Sequence, residues 1–73
     1  METGEWQDKV KRTLKAELKR KGVSYDDLVN KLADMGVSES AANIRVKMSR
    51  GSFSAVWFLQ CLEAIGVKEI KLD

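Results

Sequence analysis

Apolar residues recur along this chain at intervals of three and four, interrupted by glycine, and that rhythm predicts helices. At 100° per residue Trp6, Val10, Leu14 and Leu18 fall on one stripe, with Arg12, Lys15 and Lys19 opposite. Tyr25, Leu28, Val29, Leu32 and Met35 share a second face, leaving Asp26, Asn30 and Asp34 outward. A third segment turns Ala41, Ile44 and Met48 inward and Glu39, Asn43, Val46 and Arg50 outward, with Lys47 on its flank. A fourth turns Phe58, Cys61, Leu62 and Ile65 inward. Val56, Trp57 and Ala64 are apolar on its other side, so this helix is either central or docks a partner.

Punctuation sets the limits of these segments. Proline is absent, and Gly22, Gly36, Gly51 and Gly66 follow one another at spacings of 14, 15 and 15 residues, each placed to end a helix in the left-handed conformation. Ser24, three residues before Asp27, forms an approximate capping box, with Val23 and Leu28 as a hydrophobic staple. Ser54 repeats the pattern between Phe53 and Phe58, and Ser38 is the third candidate cap, with Ser40 as a less favoured start. The chain therefore reads as an all-α four-helix bundle, with helices at about 5–21, 25–35, 39–50 and 55–65.

Beyond Gly66 the segment 67–73 alternates Ile70 and Leu72 with charged residues, which favours an extended tail. One strand needs a partner. The tail either pairs with the same tail of a second molecule or folds back as a short extension against the helices.

Composition narrows the class. With 73 residues the chain forms one domain, since a second core needs more sequence. Hydrophobic residues at 44% and charged residues at 33% are the balance of a water-soluble globular chain, and no stretch reads as a membrane span or a secretory signal. A cytoplasmic location is the resulting expectation. The net charge of +2 hides two basic blocks, +6 over residues 9–21 and +3 over residues 45–51, set among acidic ones. Brought to one side, they make a positive face for an anionic polymer.

The side chains offer little for catalysis. Histidine is absent and Cys61 is alone, so no intrachain disulfide or cysteine–histidine zinc site can form, and Cys61 falls among core residues. Asp26 and Asp27 sit where acids stabilise a helix start. No enzymatic activity, cofactor or metal is expected.

The segment 24–51 runs cap, apolar helix, glycine turn, cap, and a second helix bearing Asn43, Arg45, Lys47 and Arg50. This pair resembles a helix-turn-helix, whose second helix enters the DNA major groove. Ser24-Tyr-Asp-Asp-Leu-Val, Arg50-Gly51 and the Leu-rich stretch from Leu59 to Val67 are similar to phage-repressor-like helix-turn-helix domains, over residues 23–67. Asn43-Ile44, Lys47, Ser49-Arg50-Gly51, Phe53-Ser54-Ala55 and Leu59-Gln-Cys-Leu-Glu-Ala-Ile-Gly66 resemble, more specifically, a family of short uncharacterised bacterial domains. Two departures stand out. Ala33 and Ile44 are eleven positions apart, one more than the usual motif, and Tyr25 and Glu39 or Ser40 hold places where repressor-like domains often carry DNA-contacting glutamines.

The resemblance implies a double-stranded-DNA-binding, transcription-regulator-like protein. In that reading Arg45, Lys47 and Arg50 neutralise phosphates or address guanine edges, Asn43 pairs with adenine, and Val46 touches a thymine methyl. Tyr25 either donates to a phosphate or belongs to the core. The competing expectation is a homodimeric helical adaptor that binds no nucleic acid, with Val56, Trp57, Ala64, Ile70 and Leu72 as its contact patch. The two combine if a dimer formed through the fourth helix and tail presents two reading helices to a duplex.

Overall fold

Serine caps and glycine ends place the helices. The computed structural model describes residues 3–72. Among them, four helices form: α1 (Thr3–Lys21), α2 (Tyr25–Asp34), α3 (Ala41–Arg50) and α4 (Ala55–Ala64). Ser24 closes a full capping box with Asp27, its hydroxyl accepting the Asp27 N–H and the Asp27 carboxylate accepting the Ser24 N–H, both at 3.1 Å. Ser54 accepts the Trp57 N–H at 3.0 Å. All four expected glycines have positive φ, between 67° and 81°.

The third start differs from expectation. Ser40, not Ser38, accepts the Asn43 N–H, so α3 begins at Ala41 and Glu39 lies outside the helix. The 100° rule that put Glu39 on the outer face therefore does not apply to it.

Each of α1 and α2 packs against both α3 and α4, which encloses one core. Leu14, Leu28, Leu32, Ile44, Met48 and Cys61 are its fully buried centre, and Leu18, Trp57, Leu62, Ile65 and Val67 complete it. The expected stripes hold in their middles and fray at their ends: Trp6 is 55% exposed and Met35 is exposed, because each sits at the far end of its helix.

Trp57 is the largest correction. Named as a partner contact in the adaptor reading, it is buried, as the central-helix alternative supposed, because it precedes Cys61 by four residues and so shares the core stripe of α4. Its neighbours on the expected patch are mixed: Val56 and Leu72 are exposed, and Ala64 and Ile70 are half-buried.

No strand forms among the described residues. Segment 67–72 is irregular, with Val67 buried and Ile70 half-buried against the core, which matches the extension folded onto the helices; Asp73 lies outside the described residues. Among the described residues no helix is long and apolar enough to cross a membrane.

Candidate nucleic-acid interface

The reading helix of the sequence argument is a short rod fixed at both ends and along its back. Ser40 caps its start, and Gly51 ends it in the left-handed conformation with its N–H on the Lys47 carbonyl. Ile44 and Met48 lock its inner face into the core. Its C-terminal end is also held by α1: Lys11 Nζ donates to the Ser49 carbonyl at 3.3 Å and pairs with Asp8 at 3.4 Å. The approach is so close that a Cβ on Gly51 would stand 2.7 Å from the Gln7 carbonyl oxygen. Lys11 was not singled out from the sequence. It belongs to the basic block of residues 9–21, and nothing in the local pattern of that block marks the contact.

Of the residues expected to meet DNA, Asn43, Arg45, Val46 and Arg50 are exposed on this rod. Arg45 and Arg50 make no ion pair with any described residue. Their guanidinium groups are thus available to an outside anion.

Lys47 is placed differently. Its Nζ lies 2.7 Å from Glu39 Oε2 and 4.6 Å from the centre of the Trp57 ring. The same Oε2 accepts the indole N–H of Trp57 at 2.8 Å, and Oε1 accepts the Ser40 N–H at 3.2 Å. The Glu39 side chain is only 4% exposed, against 37% for Lys47. Burial is the largest influence on this carboxyl and works to raise its pKa. The Lys47 hydrogen bond, the Ser40 N–H, the Lys47 charge and the Trp57 N–H together outweigh it, and Glu39 stays below its ordinary value. Glu39 is therefore an ionised carboxylate turned inward, and the buried indole has its hydrogen-bond partner.

Tyr25 is half-buried against the core, as the core alternative for it supposed. Beside it Asp26 and Asp27 are exposed, and Asp27 is held below its ordinary pKa chiefly by the Ser24 N–H. These charges oppose a phosphate at the start of α2. Cys61 is fully buried, and its thiol is pushed up to about 12, first by burial and then by the Glu39 carboxylate, so it is protonated at neutral pH. No group of potential metal ligands clusters among the described residues.

A further basic surface lies along α1, where Lys9, Arg12, Arg20 and Lys71 line an open groove of about 670 Å³ between α1 and the C-terminal segment. Arg20 is paired with Glu17 there, and Glu69 lies on the same wall, so its charge is partly answered.

Comparison with known proteins gives one family. Residues 6–70 match the family described as Domain of unknown function (DUF6471). No curated protein and no solved structure matches the chain.

Proposed function

We propose that this chain, which belongs to the DUF6471 family, binds double-stranded DNA and reads it with the outer flank of α3. One observation carries the reading: Asn43, Val46 and Arg50 share the outward face of a rod whose back is anchored by Ile44 and Met48, and Arg45 is exposed on its side. A helix held in this way presents its side chains at fixed spacing, which base-edge recognition requires. The electrostatics support it. Glu39, the acid nearest the rod in sequence, is withdrawn and answered by Lys47, so it does not confront phosphates.

The contact set is narrower than the one the sequence suggests. Arg45 and Arg50 supply charge, Asn43 offers an amide for adenine, and Val46, 48% exposed, offers a methyl surface for thymine. Tyr25 is left out because the exposed Asp26 and Asp27 flank it. Lys47 is a positioning residue that holds Glu39. The packing of α2 directly on α3, as a helix-turn-helix requires, supports the same assignment. Regulation of transcription is the role this recognition would serve.

The test is a titration of labelled random duplex at about 50 mM salt, where counterion release makes even non-specific binding strong, followed by amide-shift mapping. Binding is expected, with shifts centred on Asn43 to Arg50. A flat titration, or shifts confined to α4, would end the proposal and leave a protein-binding adaptor in its place.

A further inference from the structure

The C-terminal segment leaves an unusual amount unfinished. The Val67 N–H bonds the Leu62 carbonyl at 2.9 Å, but from Lys68 to Leu72 the backbone forms no hydrogen bond with any described residue. Lys68, Glu69 and Lys71 form no ion pair with any described residue either. Two shallow grooves flank the segment. An apolar one, about 260 Å³, is lined by Trp6, Val10, Phe58 and Leu72, and a mixed one, about 460 Å³, by Leu59, Leu62, Val67 and Ile70 with Glu63, Lys68 and Glu69 at its edge. Leu59 at 63% and Leu72 at 74% are among the most exposed large apolar side chains described.

We propose that these features are two halves of one joint, and that the occupant is a second copy of this chain, paired with the first through residues 68–72 in antiparallel register about Ile70. The register follows from charge. A two-fold pairing centred on Ile70 sets Glu69 opposite the partner's Lys71 and Lys71 opposite the partner's Glu69, so each charge is answered once and the pair occurs twice by symmetry. Centring on Glu69 would oppose two carboxylates, and centring on Lys71 would oppose two ammonium groups. Only the Ile70 register of these three is attractive.

The same register answers the apolar surface. It puts the partner's Leu72 directly opposite Lys68, about 5 Å away across the ladder, and Lys68 borders the groove of Leu59 and Leu62. Each copy's exposed Leu72 thus covers the other's exposed Leu59, while Ile70 meets its own copy on the axis. Alternate backbone groups along residues 68–72 gain hydrogen bonds that they lack within one chain. This inference is independent of DNA binding, since the joint uses no residue of α3.

Sedimentation velocity of the full chain without DNA, from about 1 to 100 μM, tests it. A concentration-dependent dimer is expected. Leu72→Glu should abolish it with the circular dichroism unchanged, because Leu72 is 74% exposed and not part of the core. Glu69→Lys and Lys71→Glu should each weaken the dimer about tenfold, since two symmetry-related pairs change sign. The double exchange Glu69→Lys with Lys71→Glu should restore it. A monomer throughout the range overturns the proposal. So does a dimer indifferent to Leu72→Glu, or one that the double exchange fails to restore.

Discussion

The helices α3 and α4 have the same length and the same kind of start, a serine whose hydroxyl accepts a backbone N–H in the first turn, yet they show the solvent opposite surfaces. α3 exposes Asn43, Arg45 and Arg50, with Val46 among them. α4 exposes Val56 and Leu59. A polar, cationic flank on an anchored rod suits an anionic polymer, whereas aliphatic side chains on a helix surface suit another protein. The difference teaches that similar local folding rules present two kinds of surface in one small domain. The hinge between them is Trp57, which leaves α4 and closes on the turn before α3.

Removing that hinge should have the largest effect. Trp57→Ala deletes a buried indole that packs against Phe53 in a tilted arrangement, 4.9 Å between ring centres, and donates to Glu39. We expect a loss of about 3–5 kcal/mol in urea unfolding. Val56→Ser, one residue earlier but 67% exposed, should change stability by less than about 0.5 kcal/mol. Equal effects from the two would mean that α4 is rotated from the orientation described.

The ends of the two helices come next. Gly51 after α3 and Gly66 after α4 both have positive φ, 67° and 78°, so alanine is strained at either place. At Gly66 the space is open, and Gly66→Ala should cost about 1 kcal/mol. At Gly51 the new Cβ meets the Gln7 carbonyl oxygen, a backbone atom that cannot swing aside, and we expect about 3 kcal/mol from strain and overpacking together. Similar midpoints for the two variants would show that α1 does not seat against the end of α3.

These cases show what the sequence made legible. Capping by Ser24 and Ser54, the four glycine ends and the central core leucines follow from local chemistry, and each depends on neighbours a few residues away. Glu39 and Trp57 were misread for the opposite reason. Their contact spans 18 positions, and no periodicity within either segment encodes it. A cap at Ser38 would have made Glu39 the first residue of α3 and pointed it outward; moving the cap to Ser40 freed it to turn in. The seat of Gly51 on Gln7 and Lys11 was invisible for the same reason, because a glycine at a helix end looks alike whether its far side is open or filled.

The Glu39 carboxylate is expected to give a smaller, pH-dependent effect. Glu39→Gln keeps an acceptor for Trp57 but removes the charge that Lys47 answers, which should cost about 1–2 kcal/mol at neutral pH, reduced by the partial exposure of Lys47. Folding lowers the Glu39 pKa below its ordinary 4.5. Its contribution is therefore complete above that value and is lost as the pH falls through the lower folded value. Urea midpoints of the wild type and Glu39→Gln should differ at neutral pH and converge in acid. A gap that stays constant down to about pH 3 would show that the ion pair is not its source.

The smallest expected difference separates two cations on α3 itself. If phosphates are bound by side chains without an internal partner, Arg50→Ala should reduce the slope of log affinity against log salt by about 0.9, the share of one phosphate contact. Lys47→Ala should leave that slope nearly unchanged, because its ammonium is already neutralised by Glu39 at 2.7 Å. It should instead lower stability, by exposing Glu39 as an unanswered buried charge. The two variants remove the same formal charge from the same helix, so a net-charge effect alone predicts equal slopes. Equal slopes would therefore mean that DNA senses only the overall field of the protein, and unequal ones that it meets the outer flank of α3 side chain by side chain.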